Sequence, residues 1–566
     1  MIGIRAVLAG ATAAAVVAAG TVGTTEALAA AQVGGPASVG RAAAVHPPST
    51  RLHGVDVDAT TIPQLQRLMR AHRLSSVDLV RFYLARIRVL NPKLHAVIRV
   101  SPTAVADARR ADRARAHGDR RPLLGIPVIV KDNIDTTGMP TTAGSLALAG
   151  NTPPDAFVVR RLKAAGALVI GKANLSEWAN FRGDQSSSGW SAVGGQTNNP
   201  YVLDRNPCGS SSGSAVVAAA DLATVAVGTE TDGSIVCPSG QNGVVGVKPT
   251  LGLASRDGIV PISAQQDTAG PITRNVTDAA VVLGAMTGVD RHDPATAAQK
   301  GHVYRDYTRF LGSRSLKGAR IGVWRAGNFG VSPETDVVME RAIARLEALG
   351  ATVVDPADIP IDAAYGPEGT ALLYEFKHDI NAYLRRFAGK GYPRTLADLI
   401  AFNRAHAQQE LQWFGQEVFE QAQATSGSLT DPVYVKARSD ARSIARAAID
   451  DTLRRYRLDA VLAPTNSPAW TTDLVNGDHF LLGSSSPAAI AGYANVTVPA
   501  GYSHGLPVGM SLIGRRWQEP RLLALAYAWE RATHVRTPPR FLPTLGDTGG
   551  ARATTARVAA TGRPPI

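Results

Sequence analysis

Cysteine is scarce, with 2 residues in a chain of 566. That supply supports neither a disulfide framework nor a multi-cysteine zinc site. The histidines form no H-E-x-x-H pattern, so no metal and no cofactor is expected. Charged residues are also few, 19% against 45% hydrophobic. A disordered chain has the opposite balance, so a large buried core is expected. Lys and Arg exceed Asp and Glu by 59 − 46 = 13, but the basic residues are scattered. Without a Lys/Arg run to track a phosphate backbone, no nucleic-acid partner is expected. Beyond the N-terminus no apolar stretch is long enough to span a bilayer, so stable membrane insertion is not expected.

The first residues differ in composition from the rest. Met1 to Arg5 is short and positive, and residues 6–23 are apolar, made largely of Ala, Val and Gly. Ala27-Leu28-Ala29 and Ala29-Ala30-Ala31 are small-residue cleavage sites. This is the pattern of a signal peptide over residues 1–31, without a twin arginine. Weak hydrophobicity and the lack of a basic stop-transfer cluster favour cleavage over an uncleaved anchor. The expected location is secreted or extracytoplasmic. Residues 32–57 read as a flexible lead-in, with order from Asp58, and residues 546–566 as a loose tail.

Between these ends the pattern alternates. Ser75 or Ser76 starts a helix over residues 77–90, stopped by Asn91-Pro92. Strands are predicted over 123–130, 167–170, 224–227, 321–324, 351–354, 460–462, 496–498 and 508–512. Helices over 156–165 and 216–222 lie among them. Strands separated by helices predict an α/β fold, with a mixed or mostly parallel sheet covered by helices. Residues 365–456 read as a helical insertion, with helices over 370–386, 395–423 and 439–456. The sequence contains no internal repeat.

The stretch richest in information is Gly- and Ser-dense. It runs Cys208-Gly209-Ser210-Ser211-Ser212-Gly213-Ser214, then Gly228-Thr229-Glu230-Thr231-Asp232-Gly233-Ser234-Ile235, then Gly243-Val244-Val245-Gly246-Val247-Lys248-Pro249. Such density suits a backbone that must approach a ligand closely. A phosphate-cradling loop would need a Gly-Lys-Ser/Thr ending, which is missing. Gly209-Ser210-Ser211-Ser212-Gly213 matches G-x-S-x-G, but residues 203–208 are not strand-like, and His479 and His534 have no recognisable context for a triad. A purely structural set of turns remains the plain alternative.

These segments resemble the amidase signature family. Gly125-Ile126-Pro127-Val128-Ile129-Val130-Lys131-Asp132-Asn133 is similar to that family's lysine segment. Gly171-Lys172-Ala173-Asn174-Leu175-Ser176-Glu177-Trp178 and Gln266-Asp267-Thr268-Ala269-Gly270-Pro271 match further segments. The resemblance spans residues 61–545, and Thr231-Asp232-Gly233-Ser234 with Ser188-Gly189-Trp190-Ser191 is most similar to the peptide amidase branch. It implies a single large domain over 58–545, a mixed sheet with helices on both faces, and a Ser–cis-Ser–Lys triad. In that triad Lys131 is the base, Ser210 the cis-serine and Ser234 the nucleophile. The backbone of Thr231, Asp232, Gly233 and Ser234 is implied as the oxyanion hole, and Ser211 as a neighbour bonding Lys131 or the loop.

Elementary chemistry agrees with this assignment. A serine hydroxyl needs a base. Lysine serves only when burial lowers its pKa, and Lys131 directly follows an apolar strand. A hydroxyl both donates and accepts, so Ser210 can relay a proton. Asp232 stands where the family more often has Gly; it keeps the N–H and adds a carboxylate. Cys208 and Cys237 flank the two serines and are expected as two buried thiols, a bridge being the alternative in an exported protein. The implied activity is hydrolysis of a carboxamide to acid and ammonia, on a small amide or peptide-amide substrate. Two other readings are kept: an ammonia-producing component of a glutamyl-tRNA amidotransferase, which the signal segment opposes, and a binding protein on an inactive scaffold, which intact Lys131, Ser210 and Ser234 oppose. Residues 178–190, 372–413 and 464–480 are expected to wall the pocket.

Overall fold

The computed structural model describes residues 48–546. The signal segment over 1–31, the lead-in up to residue 47 and the tail beyond 546 lie outside the described residues. Among the described residues no helix is long and apolar enough to cross a membrane.

Short β-branched runs build the centre. They are β1 (Val97–Val100), β2 (Pro127–Lys131), β3 (Leu168–Ala173), β4 (Val225–Glu230), β5 (Val245–Lys248), β6 (Thr268–Thr273), β7 (Arg320–Val323), β8 (Thr352–Val354), β9 (Ala460–Pro464), β10 (Asn495–Ser503) and β11 (Leu506–Ile513). They form one 11-stranded sheet in the order β8-β7-β9-β11-β10-β5-β6-β4-β2-β3-β1. β2 runs parallel to β3 and β4, whereas β6 is antiparallel to β4 and β5. Every residue of β2, β4 and β6 is buried. Strands buried on both faces need cover on both, and helices supply it. The fold is the mixed-sheet α/β architecture expected.

Three differences from the sequence reading have local causes. Residues 51–57 are not loose: Arg51–Leu52 pairs antiparallel with Val55–Asp56 across a turn at Gly54, φ +79°. The helix expected to stop at Asn91-Pro92 runs Ser76–Leu94. Pro92 lacks only the N–H that would reach back to residue 88 and leaves the rest of the ladder intact, and the Asn91 side chain accepts from the N–H groups of Ala96 and Val97. The single helix expected over 395–423 is three helices, Leu396–Ala405, Ala407–Glu410 and Glu417–Ala424. Here the buried Arg182 guanidinium donates to the carbonyls of Glu410 and Phe414, taking backbone acceptors that a continuous helix would use.

Six helices matter below. α1 (Ser212–Ala219) and α2 (Val236–Gln241) follow the two Gly/Ser segments. α3 (Tyr365–Phe387), α4 (Leu396–Ala405) and α5 (Pro432–Arg455) belong to the helical stretch, and α6 (Ser486–Ala491) precedes β10. Trp178 and Trp190, the ends of a segment expected to wall the pocket, are buried against this stretch. Trp178 meets Phe419 edge-on at 5.8 Å and Trp190 meets Phe414 at 5.2 Å.

Candidate active site

Lys131 is the last residue of β2, on the same side as Ile129, since side chains alternate along a strand. Its neighbour β4 delivers Thr229, and the side chain is fully buried. Lys131 Nζ donates to Ser210 Oγ at 2.7 Å, Thr229 Oγ1 at 2.9 Å and the Thr229 carbonyl at 3.4 Å. Burial lowers the amine to about 7, while the charges of Asp267 and then Glu230 oppose the shift. Near neutral pH a large fraction is therefore the free base.

Ser210 reaches Lys131 from the segment before α1. The Gly209–Ser210 peptide is cis, and the Ser210 carbonyl accepts from the Ser176 N–H at 3.1 Å. A Cβ on Gly209 would collide with Ser176 Oγ, so a side chain there would force Ser176 to move. Ser234 precedes α2, and its carbonyl accepts from the Ser211 N–H at 3.1 Å, which holds the two serine segments side by side. Lys131 and Ser210 are thus bonded to each other, with the Ser234 segment alongside. Ser211 is not part of this bond: its hydroxyl donates to the Thr229 carbonyl at 3.0 Å and accepts from the Thr229 N–H at 3.2 Å. Of the two partners expected for it, Lys131 or the loop, the hydroxyl takes the backbone and ties its segment to β4.

The turn at 231–234 presents its backbone. Gly233 has φ +79°, which glycine adopts without strain. The N–H groups of Asp232, Gly233 and Ser234 have no acceptor among the described residues. The next two, Ile235 and Val236, both donate to Glu230 Oε2, at 2.8 and 3.0 Å. The turn is braced from outside. Thr231 donates to Asp267 Oδ1 at 2.6 Å, and Asp267 Oδ2 accepts from the N–H groups of Ile262 and Ser263. Gln266 Nε2 donates to the Thr231 carbonyl at 3.4 Å and to Glu368 Oε1 at 2.8 Å. Ser485 donates to Asp232 Oδ1 at 2.5 Å. Burial, then the Asp232 charge, raises the Glu368 carboxyl to about 8.

Cys208 and Cys237 are joined in a disulfide with Cα atoms 6.0 Å apart, not held as two thiols. The sequence separation of 29 conceals the proximity, which arises because the Ser211–Ser234 contact folds both segments together. Thr229, Gln266, Glu368 and Ser485 were not singled out from the sequence. Thr229 lies inside the quoted Gly228–Ile235 run and Gln266 opens another matched segment, so those two carried a signal; Glu368 and Ser485 carried none.

The amidase family model matches residues 78–523. A "probable amidase" of Arabidopsis thaliana is 42% identical over 520 residues, 89% of this chain and 95% of that protein. A glutamyl-tRNA(Gln) amidotransferase component of Symbiobacterium thermophilum is 37% identical over 498 residues, 86% of this chain and 99% of that one. The native peptide amidase of Stenotrophomonas maltophilia superposes with a TM-score of 0.82 at 51% identity, covering 85% of this chain and 99% of that one. The peptide amidase bound to the competitive inhibitor chymostatin gives 0.83, also at 51% identity and the same coverage. With a family match over most of its length and near-complete overlap with these relatives, the chain belongs to the amidase signature family and is an amide-hydrolysing enzyme.

Proposed function

We propose that the protein hydrolyses carboxamides, above all the C-terminal amides of peptides, through Ser234, Ser210 and Lys131. The observation that carries this reading is the 2.7 Å bond from a fully buried Lys131 to Ser210, beside the segment that holds Ser234. In the reaction Ser234 Oγ attacks the amide carbonyl and gives its proton to Ser210 Oγ. The Ser210 hydroxyl proton passes in turn to neutral Lys131 Nζ. The oxyanion of the tetrahedral intermediate accepts from the free N–H groups of Asp232, Gly233 and Ser234, a donor set worth about 3 kcal/mol per member in comparable hydrolases. Collapse breaks the C–N bond. The proton returns from Lys131 through Ser210 to the leaving nitrogen, which departs as ammonia and leaves the acyl group on Ser234. Water then attacks the ester, using the same relay, and releases the carboxylate.

Likeness to the peptide amidases supports the peptide-amide substrate. The test is ammonia release from a panel of peptide amides, amino-acid amides and arylamides. The expected result is the highest kcat/KM on peptide amides and loss of about 10³-fold or more in Ser234→Ala. Near-wild-type turnover by Ser234→Ala would overturn the assignment. The amidotransferase relatives favour a second reading, ammonia delivery to a charged tRNA; co-purification with the other components of such a complex would support it. We also propose that the protein is exported and cleaved within or just after residues 27–31, a reading that the buried disulfide favours. N-terminal sequencing of the mature protein tests it.

A further inference from the structure

Helix α5 carries Tyr434, Arg438, Arg442 and Arg446 four residues apart, so they share one face. With Gln265, Val435, Ser439 and Ser443 they line a cavity of about 550 Å³. Like charges one turn apart repel, so each guanidinium needs a partner. Arg438 has one: Glu375 accepts from its Nε at 2.7 Å and Nη2 at 2.5 Å, and also takes the Tyr434 hydroxyl at 2.8 Å. Arg442 and Arg446 have only neutral partners. Arg442 donates to Gln265 Oε1, and Arg446 Nε to the Ala491 carbonyl at 3.0 Å. Neither forms an ion pair among the described residues.

The acids nearby are already engaged. Glu375 is held by Arg438, and Asp450 accepts the Tyr493 hydroxyl at 2.9 Å and lies 3.7 Å from Arg515. Burial, then the charges of Arg438 and Arg446, lower the Arg442 guanidinium. Burial and the Arg446 charge do the same to Arg516. A half-buried cluster of planar, weakly hydrated cations beside an open cavity has the chemistry that recognises oxygen anions. The neutral partners of both arginines lead back to the oxyanion turn. Gln265 adjoins Gln266, which bonds the Thr231 carbonyl, and Ala491 ends α6, which begins beside Ser485, the partner of Asp232.

We infer that this cavity is a binding site for a carboxylate or phosphate oxyanion, held by Arg442 and Arg446. The oxyanion comes either from an acidic side chain of the substrate or from a free small anion. The substrate source rests on the amidase reading above; binding itself does not.

Titration calorimetry with inorganic phosphate and with glutarate, at low ionic strength, tests the site directly. The wild-type protein is expected to bind at least one of them, and Arg442→Gln to weaken that binding tenfold or more. Ser443→Glu, at an exposed position that keeps all the arginines, is expected to do the same by supplying an internal carboxylate. Kinetics on paired peptide amides carrying Glu or Gln then separate the sources. A substrate origin gives a KM rise of about tenfold for the Glu peptide in Arg442→Gln, with kcat unchanged, and competition by phosphate. A free-anion origin gives the calorimetric loss with the Glu and Gln peptides unaffected. No binding to the wild-type protein, or undiminished binding to both variants, would overturn the site whatever the amidase assays show.

Discussion

Lys131 combines an ionisable amine with complete burial, and the contacts around it set which form the amine takes. Its charge is disfavoured by burial and favoured by Asp267 and Glu230, leaving it at about 7. The rate constant kcat/KM is therefore expected to rise with pH through an acid limb near 7, as the ammonium becomes free base. Thr229 Oγ1 accepts from Nζ and so stabilises the charged form. Thr229→Val removes that acceptor at nearly constant shape, and the limb is expected to move to lower pH in a pH–rate profile. An unmoved limb would mean that the titrating group is not Lys131. The family's three residues were legible in the sequence because each sits in a distinctive local motif. The role of Thr229 was not, because a strand threonine reveals its partner only once β2 and β4 are paired. For Ser211 the sequence left Lys131 and the loop as alternatives, since adjacency to Ser210 says nothing about which way a hydroxyl turns.

At the scale of elements, the two serine segments are held by one backbone bond and one covalent bridge. The Cys208–Cys237 disulfide links the start of the Ser210 segment to α2 across 29 residues. A loop of that length removes roughly 3–4 kcal/mol of unfolded-state freedom. Denaturant unfolding with and without a thiol reductant is expected to differ by about that amount, with Cys237→Ser matching the reduced protein. Arg182 performs a comparable task without a covalent bond. It is fully buried against Glu177 and grips the Glu410 and Phe414 carbonyls, so the helical stretch is fastened to the loop after β3. Removing one partner of a buried pair strands the other, and Arg182→Met is expected to cost about 3–5 kcal/mol in the same assay. The strands and most helices could be predicted from periodicity and stop signals. The broken helix over 396–424 could not, because its interruption depends on a guanidinium more than 200 residues earlier in the chain.

For the whole molecule, stability should depend on pH through carboxyls that burial keeps protonated. Asp135, just beyond β2, accepts the Tyr383 hydroxyl at 2.7 Å and is raised by burial from 3.8 to about 8. Folding therefore takes up a proton between those values. The contribution of this group is full below 3.8 and is lost as pH rises through about 8. Asp135→Asn keeps an acceptor for Tyr383 and cannot ionise. Its unfolding free energy is expected to equal that of wild type near pH 4 and to exceed it by a margin that grows by about 1.4 kcal/mol per pH unit towards pH 8. A variant that tracks wild type across that range would show that Asp135 is ionised in the native protein.

The sheet order has its own consequence. β10 and β11 come last in the sequence yet lie at the centre, between β9 and β5. Until residues 495–513 have left the ribosome, the nascent chain can assemble only two partial sheets, β8-β7-β9 and β5-β6-β4-β2-β3-β1, each with a raw edge awaiting the same late hairpin. Those edges are where unfinished copies would stick to one another, so the chain's dependence on chaperones should be greatest just before its final strands are made.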